Sequence, residues 1–533
     1  MTLLVASILC DEPAVAARRA AEALARGADV VELRVDRWPE RSAAVAPAVR
    51  ELPAGRWMMT CRSAAEGGGC DEASEERIRP LLAAIDAGGG QVDFEYADWR
   101  RSETVRRRLG EALVGGPGGT RLILSAHDFA GRPEDPAALV RDMSAEANAA
   151  AVKIAWQAQD AGDNLVAFDV LRSATVPTVA ICMGEAGLPS RVLARKFNAY
   201  ATYCAPATGE SAAPGQLTLD EMLDRYRWRS IDASTGVFGV LGDPVAHSLS
   251  PVVFNAAFER YGINAVYLPI RLAGGAEALN AFLAGCCDRP WLEAGGFSVT
   301  VPHKAAAAAF VGERIEPLAR EIGAVNTLVA DAGGFSGHNT DYAGALGAIT
   351  NALGCERSGL AGLRADILGA GGVARAVVAG LRHCGAEVTL FNRNAGRADS
   401  LAGQFGCGVR TWAERGQPTG ADLLVNCTSL GMWPEVDASP VPPERLTDCD
   451  AVFDTVYHPV RTRLLREAEQ AGRRTIDGLA MFVHQAAAQF ELWTRRAADG
   501  EFLRRTVEGV PAFRGQRSGA QVPPDSSGKV PNE

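Results

Sequence analysis

The sequence predicts two successive α/β halves, a closed (β/α)8 barrel followed by a second α/β unit organised around a dinucleotide-binding turn. Three observations predict this. Eight short β-rich runs alternate with segments of helical pattern up to residue 205, a short polar segment DASTG interrupts the chain at 232–236, and the glycine turn GAGGVA at 369–374 stands between a strand-like and a helix-like run.

At 533 residues the chain is too long for one core, and roughly 100 to 250 residues per domain gives two to four of them. The runs are LLVASIL from 3, VVELRVD from 30, RWMMTCR from 56, QVDFEY from 91, RLILSAHD from 121, AAVKIAW from 150, PTVAICMG from 177 and, weakest, AYATYC from 199. Their spacing suits one strand plus one helix each. The helical segments are rich in alanine and arginine, as in PAVAARRAAEALARG, where Gly27 is the expected stop. Eight such units close into a barrel whose catalytic groups lie at the C-terminal ends of the strands. Glu32, Arg34, Arg62, Glu95, His127 and Lys153 all fall late in their runs or just beyond.

LTLDEMLDRYRWRS, from 217, is expected to be a helix closing this half, with the boundary at DASTG. VFGVLGD opens the second half, and RADILGAGGVARAVVAGLRHCGAEVTLFNRN has strand, glycine turn, helix and strand in order. Residues 513–533 contain few apolar side chains and are expected to form a disordered tail.

Composition excludes several classes of function. Hydrophobic residues make up 47% and charged residues 22%, and no apolar stretch reaches the roughly 18 residues of a membrane span. The start, MTLLVASILCDEP, lacks the positive n-region of a signal peptide and reads as a first strand, so a cytoplasmic protein is expected. The 12 cysteines are scattered without metal-ligand spacing, and no metal is expected. A net charge of −10 argues against nucleic-acid binding. Small anionic substrates would need local arginines to overcome that field.

The 54 basic residues divide into 50 arginines and four lysines, Lys153, Lys196, Lys304 and Lys529. Arginine replaces lysine in most salt bridges but cannot form a Schiff base or donate a proton near neutral pH. A retained lysine therefore points mildly to chemistry. Lys529 in the tail and Lys196 read as chance survivors. Lys153 sits inside the apolar run AAVKIAW, and at a barrel mouth burial would lower its pKa and make it a nucleophile toward a ketone. The resulting imine acidifies the neighbouring C–H, and His127, at the end of the preceding run, is the candidate base.

The set VELRVD, TCRSAAEGG, SAHDF, AAVKIA, MGEAGLPSR and APGQ, in this order, resembles type I 3-dehydroquinate dehydratase over the first half. The resemblance implies a Schiff base between Lys153 and the C3 ketone of 3-dehydroquinate, with His127 removing the C2 proton and assisting loss of the C1 hydroxyl. It also implies that Glu32, Arg34, Arg62, Arg191 and Gln216 hold the substrate, and that Glu66 helps orient the site. Ala212 stands four positions before Gln216, where such proteins commonly carry a hydroxyl, with Ser211 beside it.

In GAGGVA, Gly369 allows the tight turn, Gly371 lets the backbone approach a pyrophosphate, and Ala374 takes the last small position. The next strand ends in FNRNAGR, without the acidic residue that would hold a free ribose 2′-hydroxyl. Arg393 and Arg397 are placed for a 2′-phosphate, which favours NADP over NAD. GDPVAHSLSP, GFSVTVPHK, GAVNTL, HNTD, the glycine turn, NCTSLGM, DTVYHP and DGLAMFVHQAA together resemble shikimate dehydrogenase. That resemblance implies a catalytic pair of Lys304 and Asp341. It implies Ser248 and Ser250 for the substrate carboxylate with Tyr457 nearby, and Thr300, Asn326 and Gln485 for its hydroxyls and neighbouring contacts. For NADP(H) it implies Gly369, Ala370, Gly371, Gly372, Val373, Ala374, Asn392, Arg393, Arg397, Thr428 and Gly478. Ser298 and Asn394 depart from residues common in the family, asparagine and threonine, and tuning without loss of activity is expected.

The domain limits expected on this basis are 1–232 for the barrel, 236–338 for a shikimate-binding domain to which helices in 476–512 return, and 339–475 for a Rossmann domain. A fusion in this order resembles the plant-type bifunctional family of the shikimate pathway, in which 3-dehydroquinate gives 3-dehydroshikimate and then shikimate. Alternatives are a second half acting on quinate, a ligand-sensing regulator that has lost catalysis, and a chain with only one active half. The presence of Lys153, His127, Lys304 and Asp341 argues against the regulator.

Overall fold

The computed structural model describes residues 1–50 and 52–510; the expected tail and Lys529 lie outside the described residues. The chain divides into two compact units. One comprises Met1–Pro251, Phe258–Ala294 and Val301–His303, and the other Val252–Ala257, Gly295–Thr300 and the chain from Lys304 onward.

The first unit contains the barrel. Its strands are β1 (Leu3–Leu9), β2 (Val30–Arg34), β3 (Trp57–Thr60), β4 (Gln91–Glu95), β5 (Arg121–Asp128), β6 (Ala149–Gln157), β7 (Thr178–Met183) and β8 (Ala201–Cys204). They pair in parallel in the order β7-β6-β5-β4-β3-β2-β1-β8. The Tyr200 N–H donates to the Thr178 carbonyl at 2.8 Å, which brings β8 back to β7. All eight expected runs therefore form strands. They read as nearly unbroken apolar stretches because both faces are covered: Leu4, Ala6, Leu33, Phe94, Leu124, Ile154 and Trp156 are buried on the outer face. Each large side chain so buried contributes roughly 1.5–3 kcal/mol.

The inner face is layered, with side chains entering from alternate strands. Val5, Met58, Ile123 and Val179 come from the odd-numbered strands and are wholly buried. The even-numbered strands contribute Glu32, Asp93, Lys153 and Tyr203, all buried, and the register sets Glu32 beside Met58, Asp93 beside Ile123, Lys153 beside Val179 and Tyr203 beside Val5. The apolar floor thus gives way to a polar layer. This is where the mouth of the barrel begins.

The first helix runs from Pro13 to Ala25, with proline in its first turn, and Gly27 follows with φ 114°, in accord with its expected role as a stop. The helix expected from Leu217 does not form as one element. A wide π turn, Glu221–Arg225, and a 3-10 turn, Trp228–Ser230, take its place. Arg227 between them is left-handed at φ 47°, and Trp228 is fully buried; seating the indole breaks the helical path. Lys196, read as a chance survivor, is buried and donates to the carbonyls of Ala233 and Thr235 at 2.8 and 2.9 Å. Its ammonium ties the barrel to the segment at which the boundary was expected. β9 (Gly236–Gly242) and β10 (Ala265–Arg271) follow and pair in parallel.

In the second unit β12 (Thr327–Asp331) pairs antiparallel with both β11 (Ala294–Val299) and β13 (Gly334–His338). A parallel sheet then forms from β14 (Arg364–Leu368), β15 (Glu387–Asn392), β16 (Gly408–Thr411), β17 (Leu423–Asn426), β18 (Ala451–Asp454) and β19 (Arg474–Ile476). Its order, β16-β15-β14-β17-β18-β19, reverses direction beside β14, the topological switch point of a doubly wound sheet. Ile367, Leu390, Val425 and Phe453 from the sheet meet Val377, Val378 and Leu381 of the helix Gly372–His383 in one buried core. The helix Gly478–Thr494 reaches β12, where Trp493 Nε1 donates to the Leu328 carbonyl at 2.9 Å. Among the described residues no helix is long and apolar enough to cross a membrane.

Candidate active sites

The barrel mouth holds a pocket whose lining includes Glu32, Arg34, Arg62, Glu66, His127, Lys153, Arg191 and Gln216. Every residue expected for this half is therefore in one cavity. Lys153 lies 3.8 Å from an Asp93 oxygen and 3.9 Å from the centre of the Tyr203 ring. Burial pushes its pKa below the ordinary lysine value, against the opposing pull of Asp93 and Glu32.

His127 is buried at the end of β5. Its backbone N–H and Nδ1 both lie on Glu66 Oε2, at 3.0 and 2.9 Å. When Glu66 is ionised its oxygens only accept, so Nδ1 carries the proton and Nε2 presents its lone pair. Burial, reinforced by the charges of Arg62, Lys153 and Arg34, holds the His127 pKa well below its usual range. Burial also raises Glu66, to about 7, because Arg62 only partly offsets the desolvation and the neighbouring Glu95 and Asp93 add to it.

The three arginines differ in how they are committed. Arg34 forks onto Asp36 at 2.9 and 3.2 Å. Arg62 donates to Asp93 at 2.5 Å and Ser125 at 2.8 Å and lies 3.3 Å from Glu95. Burial opposes its charge, but Asp93, Glu95 and Glu66 outweigh that and raise its pKa. Arg191 is 2% exposed; among the described residues it has only the carbonyls of Tyr203 and Pro214, at 3.4 and 3.3 Å, and its buried Nε has no partner. Burial lowers its pKa to about 10. This cation is suited to an incoming carboxylate. Glu32 accepts from Ser7 at 2.7 Å and Thr60 at 2.9 Å. Gln216 Oε1 accepts the Ala212 N–H at 2.8 Å and the Ser211 hydroxyl at 3.4 Å, so a backbone amide at the departing position meets the glutamine.

In the second unit Lys304 begins the helix Lys304–Val311, and Asp341 lies in the first turn of Thr340–Leu353. Lys304 Nζ donates to Asp341 Oδ2 at 2.6 Å. Asn326 Nδ2 donates to the other oxygen at 2.8 Å and to Thr340 Oγ1 at 3.1 Å, while its Oδ1 accepts the Thr340 N–H at 2.7 Å. The pair is thus oriented from both sides, and Lys304 remains 26% exposed where Asp341 is 6% exposed. Thr300 is half-buried at the end of β11, and Gln485 is half-buried on the helix Gly478–Thr494. Tyr457 is 40% exposed, its ring 6.0 Å from that of Phe482. Within the first unit, Ser248 Oγ accepts the Ser250 N–H at 3.3 Å at the start of the helix Ser250–Arg260.

The glycine turn follows β14. Gly369 has φ 110°, a backbone conformation that favours glycine, and an added Cβ would lie 3.0 Å from the Cys427 carbonyl. At Gly371 and Gly372 an added Cβ would meet nothing within 4 Å, leaving open space beside the helix start, with Ala370 and Val373 flanking and Ala374 fully buried. Asn394, one of the departures, caps the helix Ala395–Phe405 by accepting the Arg397 N–H at 3.1 Å, and Asn392 Nδ2 donates to the Asn394 carbonyl at 2.8 Å. The Arg393 and Arg397 side chains are exposed beside it. Thr428 donates to Asn426 Oδ1 at 2.7 Å. Gly478 starts its helix where a Cβ would come within 2.5 Å of the Thr455 and Val456 carbonyls.

Sequence reasoning missed Asp93, Tyr203 and Gln489. Asp93 interrupts the apolar run QVDFE as Lys153 interrupts AAVKIAW, and the same question applied to it would have found it. Gln489, one turn after Gln485, accepts from the departing Ser298 at 3.0 Å and donates to Thr327 at 2.9 Å; only the fold brings these together.

Residues 5–233 match the family described as Type I 3-dehydroquinase, residues 240–328 the shikimate dehydrogenase substrate binding domain, and residues 478–508 the shikimate 5'-dehydrogenase C-terminal domain. The chain is 36% identical over 495 residues to the bifunctional 3-dehydroquinate dehydratase/shikimate dehydrogenase, chloroplastic, of Arabidopsis thaliana, covering 89% of this chain and 79% of that protein. It is 43% identical over 292 residues to the shikimate dehydrogenase (NADP(+)) of Moorella thermoacetica, covering 52% of this chain and 94% of the relative. Among solved structures, the shikimate 5-dehydrogenase of Thermus thermophilus in complex with NADP(H) and shikimate covers 51% of this chain and 99% of its own, at 38% identity and a TM-score of 0.46.

Proposed function

The chain belongs to the family of bifunctional 3-dehydroquinate dehydratases/shikimate dehydrogenases, and on that premise we propose how its own residues divide the two reactions. It is a lyase and an NADP-dependent oxidoreductase of the shikimate pathway. The observation that carries the residue-level reading is the buried Lys153 beside the Glu66-bound His127 in one pocket.

In the barrel, Arg191 receives the carboxylate of 3-dehydroquinate, with Arg34, Arg62, Glu32 and Gln216 addressing its other oxygens. Lys153 Nζ attacks the C3 ketone. Its lone pair forms the N–C bond, and the carbonyl oxygen departs as water. His127 Nε2 then takes the C2 proton, the electron pair of that C–H bond moves into the iminium to give an enamine, and the enamine returns the pair to form C1=C2 as the C1–O bond breaks. The C1 oxygen leaves as a second water, carrying the proton His127 returns to it. Hydrolysis of the imine releases 3-dehydroshikimate and the free amine. Glu66 supports this by holding Nδ1–H, so that the lone pair stays on Nε2.

This assignment fixes a pH dependence. With Glu66 near 7 and His127 lower, the pair passes from protonated carboxyl to carboxylate as the pH rises through about 7, and only the carboxylate is a full acceptor for Nδ1–H. Dehydration kcat/KM is expected to rise along that limb. In Glu66→Gln the limb disappears and the rate at the plateau falls about 10- to 100-fold, on the scale of general-base support. A pH–rate profile of both proteins checks it, and an unchanged limb in the variant rejects Glu66 as its source.

In the second half, 3-dehydroshikimate is held by Ser248 and Ser250 at its carboxylate and by Thr300, Asn326 and Gln485 at its hydroxyls, with Tyr457 nearby. The open space at Gly371 and Gly372 and the exposed Arg393 and Arg397 fit a dinucleotide carrying a 2′-phosphate. Gly369 to Ala374, Asn392, Thr428 and Gly478 complete that cradle. NADPH, when bound, supplies the hydride. Lys304 donates a hydrogen bond to the ketone oxygen and then its proton, and Asp341 keeps the ammonium aimed until transfer. The domain limits that follow are 1–232, 236–338 with the returning helices of 476–512, and 339–475, supported by the contacts of the helix Gly478–Thr494 with β12.

The test uses the purified chain with 3-dehydroquinate and NADPH as the only additions. NADPH is expected to be consumed with shikimate as product. NADH at the same concentration should be used at least about tenfold more slowly, since the two arginines gain nothing without the 2′-phosphate. No NADPH consumption from 3-dehydroquinate, with consumption from added 3-dehydroshikimate intact, would reject the dehydratase assignment.

A further inference from the structure

The layer that supplies Lys153 also contains a buried carboxylate with one oxygen unused. Asp93 is 1% exposed. Its Oδ1 accepts from Arg62 at 2.5 Å and from Ser125 at 2.7 Å. Among the described residues its Oδ2 has no hydrogen-bond partner, and it faces Lys153 Nζ at 3.8 Å, beyond hydrogen-bond reach but within ion-pair range. Leaving a charged acceptor unpaired in a low-dielectric interior costs free energy comparable to a lost charge-assisted bond. An oxygen left this way beside a reactive amine is an acceptor waiting for a donor.

We propose that Asp93 is the positioning counter-ion of the dehydratase reaction, its Oδ2 accepting the single N–H that remains on the Lys153 iminium. This rests on the Schiff-base reading of Lys153. The proton balance supports it. An ammonium and a ketone give an iminium and one water: two of the three Nζ protons leave with the carbonyl oxygen, and the third remains on nitrogen. Charge at Nζ is positive before and after, so one fixed carboxylate serves both states without reorganising. The iminium has lost two donors and rotates no longer, which makes the one remaining N–H dependent on an acceptor already in place. The Tyr203 ring, 3.9 Å away on another face of Nζ, offers a cation surface but no strong acceptor.

The charged and titratable groups around Nζ are Asp93 on β4, Glu32 and Arg34 on β2, Arg62 after β3, His127 on β5 and Tyr203 on β8. Removing the Asp93 charge leaves Arg62 and Arg34 to oppose the ammonium and takes away one of the two carboxylates that raise Glu66, the source of the acid limb, so both the amine and Glu66 deprotonate at lower pH. In Asp93→Asn the acid limb of dehydration kcat/KM should therefore move to lower pH, while kcat at the optimum falls about tenfold or more, the scale of one lost charge-assisted bond. Borohydride added during turnover should trap correspondingly less adduct on the Lys153 peptide. A residue that merely braced the barrel would lower stability and kcat without moving the limb.

The experiment compares the full-length wild-type and Asp93→Asn chains by pH–rate profile and by borohydride trapping with 3-dehydroquinate, using shikimate oxidation with NADP+ as the measure of folding. Absence of wild-type adduct would reject the Schiff-base reading itself. Wild-type adduct together with an unmoved limb and equal trapping in the variant overturns the role of Asp93. Should Asp93→Asn fail to fold, Asp93→Glu decides: it keeps the charge, so trapping and limb should persist, and loss of adduct in a folded Asp93→Glu chain overturns the proposal.

Discussion

Lys153→Ala is expected to lower dehydration of 3-dehydroquinate by at least about 10⁴-fold, the scale on which loss of a covalent nucleophile acts, and to leave oxidation of shikimate by the same chain unchanged. The amine is the one group in the pocket able to form a covalent electron sink at C3, and without it the C2 proton keeps the acidity of an ordinary ketone neighbour. His127 and Arg191 remain in the variant, but a base and a carboxylate clamp do not replace the sink. The fold should persist. Asp93 retains Arg62 at 2.5 Å, so removing the ammonium does not leave that carboxylate without a cation, and Tyr203 and Ala155 continue to line the pocket. Borohydride during turnover traps adduct on the wild-type Lys153 peptide and none on the variant. Dehydration that survives at more than about a hundredth of the wild-type rate would reject the imine route, because base catalysis alone supplies roughly 10² to 10⁴-fold.

Lys304→Ala is expected to reduce hydride transfer about 10³-fold, with dehydration by the barrel intact. In the proposed assignment the ammonium is both the hydrogen-bond donor to the developing alkoxide and the source of its proton. Its removal also leaves Asp341, 6% exposed, with Asn326 as a neutral partner only, so a negative charge faces the oxygen that is becoming negative. Binding of NADPH, measured by fluorescence, should be unaffected, since the glycine turn and Arg393 belong to other elements of the fold. Lys304→Arg is expected to restore little: guanidinium keeps the charge but does not release a proton near neutral pH. Loss of both activities in Lys304→Ala would contradict two independently acting sites.

The barrel and the doubly wound sheet were legible because their strands are buried on both faces and therefore read as short apolar runs at regular spacing. Even the weakest, AYATYC, formed β8. The segment from Leu217 was legible as helical in pattern and still did not form a helix, since the demand to seat Trp228 in the interior outweighed local propensity. Lys196 shows the converse. Its rarity marked it, but its contacts are two backbone carbonyls contributed by residues 37 and 39 positions later, which no local pattern encodes.

The sequence by itself determined the two-part α/β class and the order of the activities and marked the candidate side chains, because strand periodicity, glycine turns and the substitution of arginine for lysine are local properties of the chain. Only the tertiary structure decided how those side chains are charged and aimed. That Glu66 holds Nδ1 of His127, that among the described residues Arg191 lacks a carboxylate partner while Arg34 and Arg62 have theirs, and that Asp93 faces Lys153 with an unused oxygen are relations that only the folded chain creates. Their energies depend on burial and on distances of a few ångströms, and both exist only once the barrel has closed.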